Sequence, residues 1–144
     1  MNRLAQTAEL MRIAPHVYGA ALAASSDERA AAEVTQGVLS QAAAEDVIDR
    51  ERLVERAILT GVRSRPAACF AGMDPLGRET VALARLAGYS TTQIASRLGI
   101  GDDVVKQSML SALRRVSRGG APQTPPPRLG SENAASRARG ARGS

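Results

Sequence analysis

The chain's 144 residues have room for one domain of ordinary size, or for two small helical lobes sharing a short connection. A single cysteine excludes an intrachain disulfide and a multi-cysteine metal site, and a single histidine without a companion motif supplies no hydrolytic or metal-ligand constellation. Of the +5 net charge, +4 lies in Arg118, Arg128, Arg137, Arg139 and Arg142 set against Glu132, so the rest of the chain is nearly neutral and offers no broad basic face.

The first helical region covers residues 3–24, interrupted or restarted near Pro15, whose ring removes a backbone donor and restricts Ala14 before it. Leu4, Met11, Val17, Tyr18 and Leu22 supply its buried side, and His16 is a partly exposed helix residue. Ser25, Ser26 and Asp27 form a turn in which Ser25 and Glu28 have capping-box spacing, and the helix that follows turns Val34, Val38 and Leu39 inward. Residues 45–60, EDVIDRERLVERAILT, place acids in the first turns and apolar side chains at Val47, Ile48, Val54, Ile58 and Leu59, as a surface helix does. Residues 61–69 read as a connector ending in Cys69, a small buried apolar residue. Asp74 and Pro75 then look like the N-cap and first position of a helix running to about Ala87.

The most informative stretch is 88–116, GYSTTQIASRLGIGDDVVKQSMLSALRRV. Ser90 and Gln93 have the spacing at which two orphan backbone donors are satisfied reciprocally, so a helix begins at Thr91. Ile94, Ala95 and Leu98 form its apolar face, Gly99 ends it in a left-handed conformation, and Ile100 plugs the corner. Asp102 and Asp103 favour the positive end of the next helix. At 100° per residue Val105, Met109, Ala112 and Val116 share a stripe with Leu113 beside it, Gln107, Leu110, Ser111 and Arg114 point the opposite way, and Lys106, Ser108 and Arg115 flank them. An outward face of Gln, Ser and Arg hydrogen-bonds base edges while Lys and Arg neutralise phosphates, as in a DNA-reading helix-turn-helix; an ordinary helical hairpin with a solvated face has the same pattern. Between Met73 and Ser117, Arg78, Arg85, Arg97, Lys106, Arg114 and Arg115 face Asp74, Glu79, Asp102 and Asp103, an excess of +2 that predicts weak DNA binding by this lobe alone.

No segment alternates as a strand does, so the chain is expected to be all-α. Its expected organisation is an N-terminal helical lobe (1–62), a connector (63–72), a helix-turn-helix domain (73–117) and a disordered Arg-, Pro- and Gly-rich tail (118–144). Neither a signal peptide nor a membrane span is visible, which predicts a cytoplasmic protein. No motif calls for a cofactor, a metal or a small-molecule substrate, and no catalytic residues are expected.

Two stretches resemble one family, the bacterial extracytoplasmic-function sigma factors. Residues 76–116 look like the family's C-terminal domain, most specifically at Val104, Val105 and Lys106 followed by Ala112, Leu113 and Arg115; residues 14–42 are similar to the start of its N-terminal helical domain at Val34, Thr35, Gln36, Val38 and Leu39. The resemblance implies promoter recognition through Thr91, Thr92, Val104, Lys106, Gln107, Ser108, Ser111, Arg114 and Arg115, a surface at Glu33 and Gln36 that docks on core RNA polymerase, and an anti-sigma or sigma partner. The C-terminal stretch alone also resembles LuxR-type domains. Departures are specific: residues 42–72 are too short for the family's promoter-melting region and linker, there is no Trp, Ser108 and Ser111 stand where the family carries Arg, and Gly37 stands where it carries an acid. A shortened regulator that leans on a partner is therefore expected, and independent promoter opening is not.

Overall fold

The computed structural model describes residues 2–120, with side chains through Ser117. Every regular element among them is helical, in the order α1 (Arg3–Ser25), α2 (Glu28–Glu45), α3 (Arg50–Ser64), α4 (Ala68–Ala71), α5 (Pro75–Leu86), α6 (Thr91–Leu98) and α7 (Asp102–Gly120). The chain is all-α, as its patterning predicts. Its described residues divide into two units, the first running from the N-terminus to Met109 and the second beginning at Leu110. The first takes in α1 to α6 and the beginning of α7, including the whole stretch read from sequence as a connector. α7 continues into the stretch read as a tail, and residues 121–144, where the rest of that expectation falls, lie outside the described residues.

In the first unit α1 packs on α2 and α3, and α3 packs on α5. Ile13, Val17, Ala21, Ala31, Val34, Val38, Ala42, Leu53 and Ala57 form one buried cluster, with Tyr18, Leu22 and Leu39 packed against its edge. Small residues decide how α1 and α3 meet. A Cβ on Gly61 would lie 2.9 Å from the Cβ of Ala24, so the two helices approach as closely as glycine permits.

α1 runs through Pro15 without interruption, contrary to the sequence expectation. Pro15 and Met11 are both exposed, so the carbonyl that loses its intrahelical donor faces water. A proline in a helix interior costs about 3 kcal/mol, and burial of Ile13 and Val17 on either side contributes about 1.5–3 kcal/mol each, enough to hold the helix together. The inward face also differs from expectation. Leu4 and Met11 are 83% and 70% exposed; Val17 is buried as expected, but its stripe is completed by Ile13, Ala21 and Ala24, with Tyr18 and Leu22 at its edge.

The α1–α2 turn is capped by Asp27 rather than Ser25. The Asp27 carboxylate accepts from the N–H groups of Arg29 and Ala30 at 2.9 and 3.1 Å, while the Ser25 hydroxyl, still inside α1, donates to the Ala21 carbonyl at 2.8 Å. The Ala30 N–H, then the guanidinium of Arg65 at 2.8 Å, hold the Asp27 carboxyl below its ordinary range. The helix expected from residue 45 starts at Arg50, because Asp46 leaves α2 in a left-handed turn and Asp49 caps α3. Val47 lies in that turn and is 51% exposed instead of buried.

Residues 63–72 are packed structure. Ala67 donates its N–H to the Ala24 carbonyl at 2.8 Å, Phe70 of α4 is buried, and Arg63 grips Glu79 of α5 through two hydrogen bonds of 2.8 and 3.1 Å. Cys69 is exposed, not buried: α4 is a single turn, and it turns Phe70 inward in its place.

Candidate nucleic-acid interface

The corner between α6 and α7 forms as its local sequence dictates. The Ser90 hydroxyl accepts from the Gln93 N–H at 3.1 Å and the Ser90 N–H donates to the Gln93 side-chain oxygen at 2.9 Å, completing the capping box. Gly99 leaves α6 at φ 70°, the left-handed conformation expected there, and the Ile100 N–H closes the turn on the Ala95 carbonyl at 3.0 Å. Ile94, Ala95 and Val105 are buried and pin α6 and the start of α7 to the first unit. Asp102 and Asp103 occupy the first turn of α7, and Asp102 accepts a hydrogen bond from the Thr92 hydroxyl at 3.1 Å, which ties the two helices together across the corner.

A second tie fixes this corner to α3. Glu55 accepts from the Tyr89 hydroxyl at 2.9 Å, and the same carboxylate oxygen forms an ion pair with Nε of Arg97 at 3.1 Å. Burial first, then the bond to Glu55, push the Tyr89 phenol up to about 12. Arg97, one of the six cations counted toward DNA, is thus committed to an internal carboxylate. No feature of the sequence around Glu55 marks it for this role. Its partners lie 34 and 42 positions away, beyond the reach of periodicity or capping patterns.

The expected DNA contacts divide between the two units. In the first, Val104, Lys106 and Gln107 are exposed on α7, Thr91 is half-buried, and Thr92 is exposed but engaged by Asp102. Ser108 differs. Its hydroxyl is buried with no hydrogen-bond partner among the described residues, so it is not presented to a ligand in this conformation. In the second unit Ser111, Arg114 and Arg115 are exposed and Ala112 is buried, whereas Val116 and Leu113, expected on the inward side, are 40% and 48% exposed. Glu33 and Gln36, the expected polymerase contacts, are exposed on α2, with Val34 and Val38 turned inward beside them.

The aromatic rings are held inside. Phe70 and Tyr89 are buried, and Tyr18 packs on the edge of the core. His16 is exposed on α1 and lines a groove of about 810 Å³ with Arg50, Glu51 and Tyr89. Among the described residues no group of His, Cys, Asp and Glu is arranged to hold a metal ion, and no helix is long and apolar enough to cross a membrane. No family model matches the chain, and neither the curated proteins nor the solved structures give a significant match.

Proposed function

We propose that the chain is a shortened, sigma-factor-like transcription regulator that binds double-stranded promoter DNA through α6 and α7, acting together with core RNA polymerase and without catalytic chemistry of its own. The observation that carries this reading is the α6–α7 corner. It is rigidly capped, closed by a left-handed glycine and anchored by Ile94 and Val105, and it leaves Lys106 and Gln107 free on the first turns of α7. Gln107 has the amide pair that bonds adenine bidentately, and Lys106 has the charge for a neighbouring phosphate. Arg114, Ser111 and Arg115, exposed in the second unit, extend the expected contact set. The low charge excess and the pairing of Arg97 with Glu55 favour a reader that needs a partner to hold it on DNA.

An electrophoretic shift on duplexes selected for binding tests this. Wild type is expected to shift them and Gln107→Ala with Arg114→Ala to lose the shift; equal binding by both removes the assignment. A second reading, an interaction protein that modulates core polymerase or a sigma factor while touching DNA little, is favoured by the exposure of Glu33 and Gln36. Capture by core polymerase that weakens in Glu33→Ala and Gln36→Ala, in a chain that shifts no duplex, selects it.

A further inference from the structure

Two apolar surfaces stand open, one on each unit, and the DNA reading uses neither. On the second unit Leu110, Leu113 and Val116 are 52%, 48% and 40% exposed. They stand at i, i+3 and i+6 of α7, within an arc of about 120° of the helix circumference. An amphipathic helix ordinarily buries such a stripe, and a helical stretch this short is marginal in water without a partner. On the first unit, the groove of about 810 Å³ beside His16 runs between α1, α3 and the end of α5. Gly19, Ala20 and Ala23 form its α1 side, with Val54, Leu86 and Tyr89 across from them. A Cβ on Gly19 would meet no atom within 4 Å, so this side is open, and its small residues let another helix come close.

Charge indicates what enters. Residues 110–144 carry seven arginines against Glu132, a net +6, which leaves the first unit at −1 of the chain's +5. Arg114 is exposed at the edge of the apolar stripe. Glu51 lines the groove, and residues 46–51, which lead into α3, hold three exposed acids, Asp46, Asp49 and Glu51, against Arg50. None of the three forms an ion pair among the described residues.

We propose that the chain self-associates by a helix-in-groove contact, in which Leu110, Leu113 and Val116 of one copy seat in the groove of a second copy and Arg114 faces the acids at its rim. One chain thus carries both halves of the interface, and the contact is heterologous because different patches meet. Three anchoring side chains make a small interface of the transient class, so the association is reversible. It does not rest on the DNA-reading role of α7, since none of the three anchors is assigned to DNA.

Sedimentation velocity of the full chain from micromolar to millimolar concentration tests this. Wild type is expected to pass from monomer to larger species as concentration rises, and less readily at high salt. Gly19→Trp, whose Cβ enters open space, blocks the groove, and Leu110→Asp with Leu113→Asp spoils the stripe at exposed positions. Each should remain monomeric with native circular dichroism. Mixed, they should form a one-to-one dimer, because the first keeps its stripe and the second keeps its groove. Should Gly19→Trp not fold, Ala23→Arg, exposed on the same side of the groove, replaces it. Wild type that stays monomeric at every concentration overturns the proposal. So does Gly19→Trp that associates as wild type does, the mark of stripe-to-stripe pairing, or a mixture of the two variants that remains monomeric.

Discussion

Glu55 is where one substitution should do most damage to the helix-turn-helix. Glu55→Ala strips the acceptor from the Tyr89 hydroxyl, on a residue that is 8% exposed, and leaves a buried O–H without a partner at a cost of about 1–3 kcal/mol. The Arg97 side chain is 30% exposed, so losing its ion pair adds no more than about 1 kcal/mol after solvent screening. Together these lower stability by about 1–4 kcal/mol. In urea, with a slope of about 1.5 kcal/mol/M, the midpoint should fall by about 0.7–2.7 M at unchanged slope. The same pair imposes a pH dependence whose sign follows from the phenol. Tyr89 is raised from 10.0 to about 12 in the folded chain, so its contribution is complete below pH 10, where both states hold the proton. Between those values the unfolded chain releases the proton first, and the contribution is lost as pH rises. The stability difference between wild type and Tyr89→Phe should therefore shrink across that window and be constant below it. A Glu55→Ala midpoint within about 0.3 M of wild type, or a wild type to Tyr89→Phe difference that is flat up to pH 12, would refute this reasoning.

Other consequences follow from the packing. Gly61→Ala forces a methyl into the α1–α3 contact, 2.9 Å from Ala24, and should cost about 1–3 kcal/mol in chemical denaturation. Pro15→Ala returns a helix donor at an exposed position and should raise stability by about 1–2 kcal/mol, with the thermal midpoint as the readout. Ser108→Ala removes a buried hydroxyl with no partner among the described residues, so it should leave stability unchanged or raised and leave duplex binding, measured by anisotropy, at the wild-type level.

What sequence reveals here depends on range. The Ser90–Gln93 box, the left-handed Gly99 and the start of α5 at Pro75 are decided by neighbours within four residues, and each forms where expected. Faces of alanine-rich helices carry a weaker local signal. In α1 large Leu4 and Met11 draw the eye, but the close α1–α3 approach selects the small Ala21 and Ala24 for burial opposite Gly61. The Asp27 cap displaced Ser25 because a carboxylate nearer the first turn reaches two N–H groups at once. The Glu55 tie joins α3 to Tyr89 and to Arg97 of α6 across long separations, and no local pattern announces it. For the interface itself, sequence indicates which α7 residues are polar; the burial of the Ser108 hydroxyl and the engagement of Thr92 by Asp102 are set by the tertiary fold.

The central claim is that Gln107 reads bases and does more than hold the chain on DNA. Selection of bound duplexes from a random pool, carried out with core polymerase present for wild type and for Gln107→Ala, tests it most directly. The expected result is a preferred sequence for wild type and relaxed preference at one or two adjacent positions for the variant, with the salt dependence of binding unchanged because no phosphate contact is lost. Identical preferences for the two proteins, or no preference in either, would contradict the claim.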